Sequence, residues 1–344
     1  MLKENASQTD MDNCQNIGPS RSIAWRDMKK AYLPVLAITI LAFFLFLSCQ
    51  KNEKMTVGEK KLKVVTTLFP LYDFARHIGG EKVDVSLLLP PGVESHAFEP
   101  RPADIRRIQD SDIFLFTNKF MEPWVGGLLK GIDTGSLIIV DASKGITLLQ
   151  RTDNHGNEKY AHADESGSPD PHIWLDFSNA IKMVDTIATE FIAKDPQNKD
   201  YYMKNSYEFK KGLEELDKKY KNTLARCKQR VIIHAGHFAF GYLTKRYSIE
   251  YVSAYKGFSP DAEPTPKRLV EITKNVRKYG GKYIYYEELV APKVANVIAK
   301  ETGCGLLMLH GAHNVTKEEM ESGVTFISLM EKNLENLKVG LQCQ

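Results

Sequence analysis

The chain has 344 residues, 43% of them apolar and 26% charged, with 46 basic against 43 acidic side chains and a formal net charge of +3. This composition lies in the ordinary range for about two globular domains and excludes both wholesale disorder and a polytopic membrane protein. So even a charge balance gives no electrostatic footprint for DNA or RNA, and no nucleic-acid partner is expected.

The first recognisable element is an almost unbroken apolar run over 33–47, preceded by Lys29 and Lys30 and followed by Ser48, Cys49 and a polar stretch. The run is shorter than the ~20 residues a membrane-spanning helix needs and suits the apolar region of a secretory signal, so export is expected. Residues 1–49 are read as a leader, with Met1 or Met28 as the start of translation. Leu47-Ser48-Cys49 resembles a bacterial lipoprotein box, which implies lipidation of Cys49 and a body tethered to the outer face of a membrane. A plain signal peptide with periplasmic release is the alternative. Beyond the leader, Cys227, Cys304 and Cys343 show no metal-type spacing. Export permits a disulfide, for instance Cys227 with Cys304.

From Lys61 short apolar runs alternate with amphipathic segments, the pattern of βα units on a largely parallel sheet. Strands are predicted over 62–68, 83–89, 113–116 and 137–140, and helices over 71–78, 102–109 and 121–129. Gly79-Gly80 stops the first helix, and Pro102 suits the first turn of the second. Residues 151–168 contain no Val, Ile, Leu, Phe, Met or Trp and are expected to form a mobile loop carrying His155 and His162. A helical stretch follows over 178–226, broken near Asp195-Pro196, in which Phe209, Leu213, Leu216, Tyr220 and Leu224 recur at spacings of three or four. Strands return over 230–233, 250–252, 283–286 and 306–309, with helices over 238–245, 266–278 and 292–301. A closing helix over 317–337 opens with a capping box from Thr316 to Glu319. The expected architecture is α/β: two (βα)4-type lobes, over 61–195 and 228–340, joined by a long rigid helix over 197–227, with a site in the cleft.

In an open α/β sheet ligands collect beyond the carboxyl ends of the strands. His96 lies in the loop after strand 83–89, His234 and His237 follow strand 230–233, and His310 and His313 follow strand 306–309. His172 sits in Asp170-Pro171-His172-Ile173-Trp174-Leu175-Asp176, before the linking helices. Facing lobes could close four imidazoles around one ion, and an all-nitrogen tetrahedral set suits zinc better than manganese, which prefers oxygen. His77, in the last turn of a helix, reads as a surface residue favoured by the helix dipole. His234 reads as packing at its strand end, and Glu287 as a carboxylate orienting an imidazole.

These residues carry a family resemblance covering 61–340. Val64-Val65-Thr66-Thr67, Ile78-Gly79-Gly80, Leu89-Pro90-Pro91-Gly92 through His96-Ala97-Phe98-Glu99-Pro100, Asp170 to Asp176, His237-Phe238-Ala239-Phe240-Gly241-Tyr242 and Met330 to Leu334 are similar, in this order, to segments of the metal-specific substrate-binding lipoproteins of bacterial ABC importers. The resemblance implies two lobes, a long connecting helix and a single metal between them. It implies His96 and His172 as ligands from the first lobe, and His237 where members carry histidine for zinc or glutamate for manganese. The fourth family ligand is usually an aspartate after a strand leucine. Here Leu309 precedes His310, which takes that place by position, with His313 and Glu287 as alternates. His155 and His162 resemble a shortened histidine-rich loop and could form an auxiliary metal site. The function implied is capture of zinc, alternatively manganese or iron, and its delivery by a monomeric, membrane-anchored or periplasmic protein to a membrane permease, without catalysis. A zinc hydrolase would need an open coordination position, and no H-E-x-x-H, G-x-S-x-G or phosphate-binding glycine loop is present.

Overall fold

Strand β1 (Leu62–Thr66) exposes only Lys63, and β3 (Ile113–Phe116) is buried throughout, as strands covered by helices on both faces must be. The computed structural model describes residues 60–150, 168–255, 265–289 and 292–344, so Cys49, His155 and His162 lie outside the described residues. With β2 (Val83–Leu87) and β4 (Ile138–Asp141) these strands form a parallel sheet in the order β2-β1-β3-β4. Helices α1 (Phe69–Gly79), α2 (Pro102–Gln109) and α3 (Trp124–Gly131) connect them, α1 and α2 with proline in the first turn.

Two helices then lead across the molecule. Helix α4 (Phe177–Lys194) is capped by Asp176, whose carboxylate accepts from Ser178 N–H at 2.7 Å. After a short 3-10 turn at Pro196–Asn198, α5 (Lys199–Leu224) runs for 26 residues, a length of about 39 Å at the helical rise. The residues at three- and four-residue spacing, Phe209, Leu213, Leu216, Tyr220 and Leu224, are all buried. Gly212 sits where a Cβ would come within 3.0 Å of Ile327, so its missing side chain lets the closing helix approach.

The second series repeats the first. Strands β5 (Val231–His234), β6 (Glu250–Ser253), β7 (Tyr283–Tyr286) and β8 (Gly305–Met308) form a parallel sheet ordered β6-β5-β7-β8, with helices α6 (Gly241–Arg246), α7 (Pro266–Tyr279) and α8 (Lys293–Thr302). In both sheets the order reverses beside the first strand, which opens a crevice at the carboxyl ends.

Three elements depart from the sequence reading. The helix expected from Phe238 begins at Gly241, so residues 238–240 stay in the loop beyond His237. The closing helix is two helices, α9 (Lys317–Glu321) and α10 (Phe326–Gly340), because Gly323 turns the chain at φ 74° and Thr325 caps a second start. Asp73 on α1 accepts from Phe326 N–H at 2.9 Å and ties that start to the first lobe. The disulfide joins Cys227 to Cys343, leaving Cys304 as a free thiol. The chain end returns beside the C-terminus of α5, where Cys227 and Cys343 form an isolated antiparallel bridge, whereas the Cys304 thiol donates to Gly281 C=O at 3.1 Å.

The largest apolar core runs through both lobes and the connecting helices, taking in Phe74, Trp174, Leu213, Tyr220, Phe326 and Leu337. Arg246 on α6 bridges Asp217 of α5 at 2.7 Å and Asp176 at 2.9 Å, which fixes the second lobe to the connector. Among the described residues no helix is long and apolar enough to cross a membrane.

Candidate metal centre

Loops from both sheets meet in the cleft. His96 rides on the segment after β2, where Glu94 accepts from the N–H groups of His96 and Ala97 at 3.0 and 2.9 Å. Asn314, from the other lobe, grips the same segment by donating to Pro90 C=O at 2.6 Å and Val93 C=O at 2.9 Å. His172 precedes a 3-10 turn at Ile173–Leu175. Its neighbour Pro171 accepts from Asn118 at 3.0 Å, and Asp170 C=O accepts from the Tyr242 hydroxyl at 3.0 Å, one contact from each lobe. Trp174 donates its indole N–H to Gly311 C=O at 2.8 Å and so joins this turn to the loop carrying His313.

The structure brings together His96, His172, His237 and His313, with one ligand atom from each lying within 4.8 Å of the others. All pairs of their ring centroids are separated by 4.9 to 5.6 Å. A tetrahedral zinc with bonds of about 2.05 Å places its ligand atoms about 3.4 Å apart, and His96 Nε2 and His172 Nε2 stand 3.4 Å apart. His237 Nε2 and His313 Nε2 are buried with no hydrogen-bond partner among the described residues. A buried, unpaired nitrogen is costly unless something else takes its lone pair. These residues fit a divalent cation with nitrogen preference.

His310, which sequence position had put in the fourth place, is left out of the cluster. Its Nδ1 accepts from Ala312 N–H at 2.9 Å, its Nε2 faces Glu319 at 3.7 Å, and Asn333 holds its backbone on both sides. The chain turns through Gly311 and Ala312 before reaching the cleft, so the ring that arrives there is that of His313. Glu287 stands behind the cluster, with its carboxylate against His237 Nδ1. His234 ends β5 fully buried against Phe240 and takes no part. His77 stacks on Phe209 outside the cleft.

Carboxylates sit behind three of the four rings. Asp170 lies 2.7 Å from His172 Nδ1, Glu287 pairs with His237, and Glu288 lies 3.3 Å from His313 Nδ1. Such partners orient an imidazole, fix its tautomer and strengthen the opposite nitrogen as a donor. Burial, and then the neighbouring imidazoles, hold His96 and His172 well below the usual histidine range; the same causes bring His237 down to about 3. His96, His172 and His237 are therefore uncharged at neutral pH and open to a cation. Burial opposes ionisation of Glu288, but His310, His313 and the Gly311 N–H outweigh it and keep its carboxyl below the usual range. A small, half-open pocket lined by Glu94, Ser95, His237, Glu287, Glu288 and His313 lies beside the cluster.

Asp170, Glu288 and Asn314 were missed as site residues in the sequence. Asp170 was within reach, two residues before His172, where a short acidic side chain folds back on the following ring. No local signal marks Asn314 or Glu288, whose partners are 224 and 25 residues away.

Two parallel α/β lobes, a long connecting helix and a four-imidazole cluster in the cleft define a two-lobed metal-binding solute-binding protein. The family model described as zinc-uptake complex component A, periplasmic, matches residues 64–340, and the chain belongs to that family. It is 37% identical over 310 residues to the high-affinity zinc uptake system protein ZnuA of Bacillus subtilis, covering 89% of this chain and 97% of that one. Identity to the zinc-binding lipoprotein AdcA of Streptococcus pneumoniae strain R6 is 36% over 317 residues, 90% of this chain but only 61% of the longer relative. The crystal structure of the Zn(II)-bound ZnuA-like domain of Streptococcus pneumoniae AdcA superposes with a TM-score of 0.69 at 36% identity, over 82% of this chain and 99% of the domain.

Proposed function

We propose that this protein captures extracytoplasmic zinc with His96, His172, His237 and His313 and delivers it to the permease of an ABC-type importer. The observation that carries this reading is the convergence of four imidazoles, two from each lobe, within 4.8 Å. An all-nitrogen set favours zinc over manganese, which prefers oxygen ligands. Four protein donors also leave no open position for activated water, so the site binds and releases without turnover. Family membership supports the same role, since the relatives matched are zinc-uptake and zinc-binding proteins. A lipid on Cys49 would hold a monomeric body at the outer face of the membrane, and an auxiliary ion would be taken by His155 and His162; both positions lie outside the described residues.

The test is metal content by mass spectrometry on chelator-stripped protein offered equal zinc and manganese. About one zinc and almost no manganese per chain is expected, and preferential manganese loading refutes the assignment.

The depressed histidines make a further prediction. A histidine alone would begin to exclude zinc near its ordinary pKa of about 6.5. Here burial keeps His96, His172 and His237 neutral below that pH, so zinc meets little proton competition at pH 7. Calorimetry in buffers of different ionisation enthalpy is expected to show almost no proton released per zinc at pH 7, where four undisturbed histidines of pKa about 6.5 would together give about one; release of about one proton or more contradicts it. The cost falls on the apo protein. In the unfolded chain these histidines take up protons near pH 6.5 that the folded state refuses, so acid favours unfolding below that pH. Apo stability is expected to fall between pH 7 and 5, by up to about 1.4 kcal/mol per depressed histidine per pH unit below 6.5, as read from denaturant melts.

A further inference from the structure

His310 and His313 lie three residues apart beyond β8, and either could supply the fourth nitrogen by sequence. The structure places one carboxylate between them. Glu288, buried just after β7, accepts from Gly311 N–H through Oε2 at 2.7 Å, while its Oε1 lies 3.3 Å from His313 Nδ1 and 3.5 Å from His310 Nδ1. The two rings meet it differently. His310 Nδ1 already accepts from Ala312 N–H at 2.9 Å, so that nitrogen has a lone pair and no proton to give. Among the described residues His313 Nδ1 has only the carboxylate before it, and a carboxylate accepts. The proton of His313 therefore belongs on Nδ1, which leaves its Nε2 lone pair free to face the other three imidazoles.

The backbone is built around this contact. A Cβ at Gly311 would strike the His313 ring and come within 3.2 Å of Glu288 Oε1, so only glycine lets ring and carboxylate meet. Ala312 is held at φ 59°, an uncommon conformation for a residue with a side chain, and it carries the chain from His310 round to His313. Asn333 pins His310 in place while the Trp174 indole holds Gly311 C=O.

We propose that Glu288 is a positioning residue that makes His313, and not His310, the fourth metal donor, by fixing the Nδ1–H tautomer and the ring plane of His313. This inference rests on the four-imidazole reading above. The experiment measures zinc affinity by chelator competition, and the visible spectrum of the cobalt(II)-loaded protein, for Glu288→Gln, His313→Ala, His310→Ala and the double variant Glu288→Gln/His313→Ala. Glu288→Gln puts an amide where the carboxylate accepted; it is expected to weaken zinc about 10- to 100-fold and to shift the cobalt bands. His310→Ala is expected to stay within about threefold of the parent. In the His313→Ala background Glu288→Gln is expected to add less than about twofold, because its effect travels through the ring already removed. Should Glu288→Gln be poorly folded, Glu288→Asp serves instead, since the shorter side chain draws the carboxylate back from His313 Nδ1 while keeping its charge. An equal loss from Glu288→Gln with and without His313, or an unchanged affinity and spectrum, overturns the proposal alone. An unchanged affinity in His313→Ala overturns the four-imidazole site, and the proposal with it.

Discussion

Replacing His172 with alanine is expected to lower zinc affinity by about a hundred- to a thousandfold. Tight tetrahedral zinc sites bind with roughly 10–16 kcal/mol, so the loss of one donor in four removes about 2.5–4 kcal/mol, and each 1.4 kcal/mol is tenfold. His172 is the clearest case because it is fully buried and backed by Asp170 at 2.7 Å. Its removal also leaves that carboxylate without the ring it holds. Chelator competition on the purified variant measures the effect, and a loss of less than tenfold refutes the assignment of His172 as a ligand. Protein stability without zinc is expected to change less, since the Nε2 atoms of His237 and His313 are buried with no hydrogen-bond partner among the described residues and are kept in the apo fold at a cost.

The second large effect concerns the covalent link between connector and chain end. Reducing the Cys227–Cys343 bond, or replacing both cysteines with serine, frees a loop spanning 116 residues. Loop-closure entropy for a loop of about a hundred residues corresponds to ~4.7 kcal/mol, with measured values more often near 2–4. For a body of this size that loss lowers the melting temperature by about 5 °C. Differential scanning calorimetry with and without reductant tests it. Zinc affinity is expected to stay the same, because the bond ties the end of α5 to the residues after α10 and touches no cluster residue. A cysteine pair that leaves the melting temperature unchanged on reduction contradicts the expectation.

Both outcomes separate what local pattern carries from what it omits. The strands around 113–116 and 283–286 were legible because short apolar runs flanked by amphipathic segments have few other ways to bury themselves. The buried stripe of α5 was legible for the same reason, as was the capping box from Thr316 to Glu319. The break after α9 was missed because Gly323 and Thr325 interrupt a pattern whose apolar period continues past them. The partner of Cys227 was missed because nothing near Cys227 or Cys304 says that the last residues return to α5.

The sequence by itself determined that this chain is a two-lobed α/β protein with histidines beyond its strands, since strand ends and residue chemistry are local properties. It also named His96, His172 and His237 as residues to watch. Only the tertiary structure decided that His313 and not His310 enters the cleft, that Glu288 stands behind it, and that Asn314 holds the loop of His96. Those choices depend on backbone turns of a few ångströms and on partners up to 224 residues distant. A metal selects for the positions of nitrogen atoms in space, and no spacing along the chain encodes the angle at which an imidazole arrives.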